Sequence, residues 1–269
     1  MAKLKGSAIT DQDLADFVAS NSDFAFEMRV VAQLRALGFE CSHSGTYRDP
    51  LTDKVRQFDI RAVIHEGKFT LALGLECKNL RPNNPLLLSA VPRTSAEAFH
   101  NLLVRNPQSP FPPCSVERVN EPHSAYPTGT MVAKKTDQVG RETCGTLVSN
   151  DEATFQKVNQ AVSSCQDLVE EYARKPSQPW VRAVVPVLVV PTGLLWQVDY
   201  AADGKLDTPP RAVARASLFL DHAWSVDLGI GGKLRYRLSH IELATLDALP
   251  GIVKSYLGPV GFFSTWQAG

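Results

Sequence analysis

No run of apolar residues in this chain approaches the ~18 that a membrane-spanning helix needs, and the opening MAKLKGSAIT lacks the apolar segment of a secretory signal. A cytoplasmic protein with no membrane partner is the expectation. Cysteine is sparse: five residues, at 41, 77, 114, 144 and 165, form an odd set with no CxxC pair. That argues against a disulfide framework and against a zinc knuckle, and fits a reducing compartment. An excess of charge of either sign is also missing, since 28 basic residues balance 28 acidic ones. No global field therefore draws the protein to a polyanion or a bilayer, and any such site must be local. GxGxxG, P-loop, GxSxG and HExxH motifs are absent, which leaves common dinucleotide, nucleotide, serine-hydrolase and zinc-protease chemistries without support. There is no internal repeat.

What is present is an ordinary globular composition, 44% hydrophobic and 21% charged over 269 residues, the size of one elaborated domain. A short helix is expected from Asp11 to Phe17, and Asn21-Ser22-Asp23 supplies capping chemistry for a second, FAFEMRVVAQLRALGF, that ends at Gly38. Its apolar stripe reads Phe24, Met28, Val31, Leu34 and Leu37, with Glu27 beside it. Three strand-like segments follow, ECSHSGTY, QFDIRAVI and FTLALGLECKN, separated by polar turns. The Pro-rich stretch 81–129 reads as a long insertion with a short helix over Ser95 to Val104. Then come a strand, GTMVAK, a long helix, ATFQKVNQAVSSCQDLVEEYAR, and the strands WVRAVVPVLVV and LLWQVDY. A C-terminal β extension over 201–269 adds SLFLDHAW and KLRYRLSHIEL before a short helix from Pro250 to Leu257. The expected architecture is mixed α/β: a core of about 12–80 and 130–200 around one sheet, with the insertion and the extension attached.

The stretch QFDIRAVIHEGKFTLALGLECKNL carries the chemistry. A two-residue turn at Gly67-Lys68 pairs 66 with 69 and, further along the ladder, Asp59 with Glu76. Alternation sets Glu76 and Lys78 on one face and Cys77 on the other. Opposed carboxylates repel across a sheet, and a divalent cation converts that repulsion into coordination. Carboxylates, a backbone carbonyl, water and a substrate phosphate suit Mg²⁺. A nearby lysine whose ammonium is destabilised by burial can orient or deprotonate an attacking water. The bland alternative is a salt bridge on a wet sheet face.

Glu27 on a helix, Asp59 in QFDIRA and Glu76-Cys77-Lys78 in GLECKN, in that order with αβββ around them, resemble the PD-(D/E)xK nuclease superfamily, the restriction-endonuclease-like fold. The resemblance covers roughly Asp23 to Leu80, and the later helix and strand extend it to the α-β-β-β-α-β core of such proteins. It implies a Mg²⁺-dependent nuclease, with Mn²⁺ as a substitute, acting on a nucleic acid, DNA first, alone or as a homo-oligomer or with a partner subunit. It further implies Asp59, Glu76 and the Cys77 backbone carbonyl as metal ligands, Lys78 as the water-activating lysine and Glu27 as a helical carboxylate that joins them. Gln156, Lys157 and Gln160 match polar helix positions that some relatives use beside the site. One departure is that Phe58 stands where the family's name places proline. A non-catalytic nucleic-acid-binding or scaffolding subunit of the same fold is the alternative.

Two other ExK-like triplets, Glu66-Gly67-Lys68 and Asp203-Gly204-Lys205, fall in turns with no apolar strand to carry them. Arg56, Arg61, Lys134, Lys135 and Gln160 are candidate contacts to a nucleic-acid backbone. Between Lys78 and Arg141, eight basic residues stand against four acidic ones. The histidines show no ligand spacing; His100 and His123, in the Pro-rich segment, are the two worth testing.

Overall fold

The computed structural model describes residues 6, 8–50, 52–105, 114–174, 180–229 and 232–257. Helix α1 (Asp11–Asn21) begins on a capping box in which Thr10 and Asp13 bond reciprocally. Helix α2 (Phe24–Ala36) is followed by Gly38 at φ 90°, a conformation that costs glycine little. It buries Phe26, Val30, Val31 and Leu34, while Phe24 and Met28 are exposed. The stripe is thus rotated from the expected one: the sheet receives the face that starts at Phe26, and Phe24 instead meets the edge of the His43 ring.

Strands β1 (Glu40–His43), β2 (Thr46–Arg48), β3 (Val55–Gln57), β4 (Ile60–Glu66) and β5 (Phe69–Cys77) follow. Two expected strands are broken. Ser44, at φ 55°, separates β1 from β2, and the chain bends between Gln57 and Ile60, so Asp59 stands on the bend just ahead of β4. The hairpin register is the one expected: Glu66 pairs with Phe69 and Ile60 with Leu75, across a turn in which Gly67 has φ 59°.

The segment read as a loop-like insertion carries β6 (Leu86–Pro92), β7 (His100–Arg105) and β8 (Cys114–Val119). The helix expected over Ser95 to Val104 is not formed, because residues from His100 onward find backbone partners on two strands, one of them distant in sequence. Part of the Pro-rich run, 106–113, lies outside the described residues. Next come β9 (Met131–Arg141), β10 (Leu147–Ser149), α3 (Glu152–Arg174), β11 (Trp180–Val190), β12 (Leu195–Tyr200), β13 (Leu206–Ala212), β14 (Arg215–Asp227), β15 (Lys233–Thr245) and α4 (Leu249–Leu257).

Thirteen of the strands form one mixed sheet whose main path is β1-β4-β5-β11-β15-β14-β9-β6-β12-β13. β5 and β15 flank β11 in parallel, whereas β4 is antiparallel to both β1 and β5. The C-terminal strands are therefore part of the same sheet as the core. Every residue of β5 is buried, as its apolar run requires of a strand covered on both faces. Leu71, Leu73, Leu75 and Cys77 pack with α2 and α4, while Ala72 packs with Val162, Cys165 and Leu168 of α3. Each fully buried leucine contributes about 1.5–3 kcal/mol. At Gly74 a Cβ would stand 2.6 Å from Cys165 Sγ, so the absent side chain lets α3 approach the strand two residues before Glu76. No described helix is long and apolar enough to cross a membrane.

A buried polar knot lies elsewhere under the sheet. His240, 2% exposed, stacks on Tyr126 at 3.8 Å between ring centroids. Its Nε2 accepts from Arg93 Nε at 3.3 Å, which leaves Nδ1 to donate to Ser239. Burial first, then the Arg93 charge, pushes the imidazole pKa down to about 2. The unfolded chain thus binds this proton between pH 6.5 and about 2 while the folded chain does not, so its stabilising effect is complete above pH 6.5 and declines as pH falls. Denaturant unfolding is expected to show a loss of roughly 3 kcal/mol from this group between pH 6.5 and 4, and His240→Gln should flatten that slope.

Candidate functional site

The end of β5, the bend before β4 and the first turns of α3 meet at one place. Glu76, at the penultimate position of β5, projects to the α3 face with its side chain 1% exposed. Asp59 arrives from the bend with its side chain 14% exposed. Its Oδ2 accepts from the Cys77 backbone N–H at 2.8 Å, and its own N–H points at Glu76 Oε1 at 3.4 Å. The hairpin register therefore brings the two carboxylates together, with a backbone amide fixing one of them.

Between them stands a lysine from α3. Lys157 Nζ donates to Asp59 Oδ2 at 2.6 Å and to Glu76 Oε2 at 2.9 Å. Burial alone would lower the Lys157 pKa, but the charges of Glu76 and Asp59 and the bonds to both raise it above the ordinary lysine value. Glu76 is driven the other way: burial pushes its carboxyl up to about 8, and Asp59 adds to the rise, while Lys157 opposes it. The two shifts describe one competition, since a rise for Lys157 requires ionised carboxylates and a rise for Glu76 favours its protonated form. The paired distances favour an ionised Glu76 as long as the ammonium stays in place, and loss of that cation would leave burial unopposed.

Lys78 does not make this contact. Its backbone N–H donates to Val189 O at 2.9 Å, continuing the ladder with β11. Burial lowers its ammonium pKa, Asp23 raises it and Lys157 lowers it further. Asp23, at the N-cap of α2, makes no side-chain capping bond. Burial raises its carboxyl pKa, with Lys157, Asp59 and Lys78 all close enough to be felt. Glu27 turns to β1, where Oε2 meets His43 Nε2 at 2.8 Å, and no hydrogen bond or ion pair joins it to Asp59 or Glu76. The Cys77 side chain is fully buried on the opposite face, among α2 residues.

The weaker candidates are engaged in internal pairs. Arg61 donates to Ser164 O at 3.0 Å and Asp167 at 2.9 Å and stacks over Phe58, so it ties α3 to the sheet. Arg56 bonds Asp49 at 2.7 Å. Lys134 pairs with Glu97 and Lys135 with Asp137, each at 2.6 Å. At Gln160 it is the backbone carbonyl that is engaged, accepting from the Tyr47 hydroxyl at 3.4 Å. His100 is buried and bonded by the Ala125 backbone N–H, as expected of a core histidine, and the His123 backbone N–H closes a turn on Asn120.

Lys157 was visible only through the family resemblance, although its spacing carried a second signal. It precedes the buried Ala161 and Cys165 by four and eight residues, on the helix stripe that faces the sheet. Asp23 and His43 had no such signal: capping chemistry accounted for the first, and nothing in the spacing marked the second. Among the described residues no three His, Cys, Asp or Glu side chains converge as a ready metal cage. No family model, curated protein or solved structure matches the chain.

Proposed function

We propose that this protein is a metal-dependent nuclease that hydrolyses phosphodiester bonds, with DNA as the substrate. The observation that carries the reading is the convergence of Asp59 and Glu76 on a single cation position, at the end of a rigid buried strand and two residues from Lys78. With the intervening β2, β3 and β6 to β10 set aside, α2, β1, β4, β5, α3 and β11 follow the α-β-β-β-α-β order of the restriction-endonuclease-like fold, which supports the reading.

The donor set fits Mg²⁺ or Mn²⁺. Hard carboxylate oxygens already hold a cation at 2.6 and 2.9 Å, and Mg²⁺ uses only one or two protein carboxylates because it retains water and takes substrate oxygens. Asp59 and Glu76 would hold the ion, with the Cys77 carbonyl as the remaining candidate ligand. Such an ion supplies charge neutralisation at the phosphate and a lowered pKa for the attacking water. Lys78, half-buried with an ammonium pKa lowered by burial, would orient that water and, in its neutral amine form, take up a proton from it. Lys157 balances the carboxylates in the absence of the ion, and the Cys77 N–H keeps Asp59 aimed. Glu27 contributes by fixing His43 and the β1 edge rather than as a ligand.

The position of Lys157 also favours a second reading, a non-catalytic nucleic-acid-binding or scaffolding subunit in which the lysine replaces the metal for good. Calorimetric titration with Mg²⁺ and Mn²⁺ separates the two. A nuclease site gives a binding heat in the wild type that disappears in Asp59→Asn; absence of heat from both metals in the wild type favours the non-catalytic subunit.

A further inference from the structure

Beyond Lys78 the surface opens into a cleft of about 650 Å³, within the ~300–1,000 Å³ of pockets that take small ligands. One wall is the segment that leaves β5, and the other is the hairpin of β9 and β10. Five amide side chains line it: Asn79, Asn83, Asn84, Gln138 and Asn150. Arg81 and Arg141 stand at the same walls with one acid, Glu142, beside them, and Asp23 and Lys78 join the cleft to the carboxylate pair, so the charged lining is three basic residues against two acidic ones. No aromatic side chain is among the lining residues.

We propose that this cleft receives one unpaired nucleotide of the strand adjoining the scissile phosphate, with its base edge read by amides and its phosphates held by Arg81 and Arg141. The amide group carries both donor and acceptor and so matches the edges of bases, whereas arginine suits phosphate. Asn84 Oδ1 is buried without a hydrogen-bond partner, an acceptor left over by the protein's own interactions. Gly140 lies against it so closely that a Cβ there would come within 3.3 Å of that oxygen. Gln138 is buried, and its side-chain oxygen is held by Thr154 at 3.0 Å, which fixes its orientation and leaves the NH₂ as the group available to a ligand. A concave site is the wrong shape for reading a duplex, whose grooves are entered by elements that project from the protein. A concave site admits a base that has left its partner, with its pairing edge free for the amides.

The place of this nucleotide next to the cut rests on the nuclease reading; the preference for an unpaired strand does not. Anisotropy titrations of the wild-type chain in EDTA, with labelled short single strands, a blunt duplex and the same duplex bearing a one-nucleotide flap, in deoxy and ribo forms, test it. The unpaired strand and the flap, in one sugar form or both, should bind at least about tenfold tighter than the blunt duplex. Arg81→Ala, at an exposed position, should weaken that binding about fivefold or more with unchanged melting temperature, and Gly140→Ala, whose Cβ would crowd Asn84 Oδ1, should weaken it to a similar extent. Equal affinity for unpaired strand and blunt duplex, or no binding of either, overturns the inference, as does unpaired-strand affinity untouched by both substitutions. Persistence of the unpaired preference without cleavage in Mg²⁺ upholds the cleft and removes the nuclease reading; cleavage of blunt duplex with no such preference does the reverse.

Discussion

Asp59→Ala is expected to reduce phosphodiester cleavage by about a thousandfold or more, since it removes a proposed metal ligand whose effect is concentrated in the transition state. The substitution also strands the Cys77 N–H, which donates to Asp59 at 2.8 Å, so a stability cost of roughly 1–3 kcal/mol accompanies it. Asp59→Asn keeps the shape and the acceptor for that N–H, and should lose activity with a smaller change in melting temperature. Measurement of cleavage rate beside melting temperature for both variants separates lost chemistry from lost fold. An Asp59→Asn variant that cuts at the wild-type rate would show that the Asp59 charge has no part in catalysis.

Lys157→Met should be the most destabilising of the site substitutions in the absence of metal. It leaves Glu76, with a side chain 1% exposed, and Asp59 facing one another with no counter-cation, and loss of one partner from a buried ion pair typically costs about 3–5 kcal/mol. In a protein of this length that corresponds to a fall of roughly 10 °C in melting temperature. The direction of its pH dependence follows from Glu76. Burial pushes this carboxyl pKa up even against the opposing lysine charge, and without the lysine nothing opposes that rise. A raised carboxyl pKa gives stability that is present below the unfolded value and lost as pH rises through the folded one. The deficit of Lys157→Met should therefore be small near pH 5 and large near pH 9. Saturating Mg²⁺ should recover part of the loss, and raise the variant's melting temperature more than that of the wild type. A variant that melts like the wild type at pH 9 would mean that Lys157 does not neutralise the carboxylates.

Legibility of the sequence followed the distance over which partners act. The β4–β5 hairpin was readable because its turn is local: Gly67 adopts φ 59°, and the ladder from Glu66–Phe69 to Ile60–Leu75 follows from it. α3 was readable from the helical spacing of its apolar residues and β11 from its apolar run. The strands at 86–92 and 100–105 were not, because their proline-rich surroundings suggested loop and their backbone partners lie in β9, β12 and β11, far along the chain. The same limit applied to the site. Asp59 and Glu76 are linked by a short hairpin, but the lysine on them comes from 98 residues beyond Asp59. The helical position of Glu27 was legible, yet its partner was not: His43 lies on the neighbouring strand, where it bonds the Glu27 carboxylate.

Metal-dependent cleavage at the Asp59–Glu76 pair is most directly tested by incubating the purified protein with plasmid, linear duplex and single-stranded DNA in Mg²⁺, with EDTA and Glu76→Gln as parallel arms. The expected result is strand cleavage that requires the metal and disappears in Glu76→Gln. Failure to cut any of these substrates in Mg²⁺ or Mn²⁺, or cleavage that survives in both EDTA and Glu76→Gln, would contradict it.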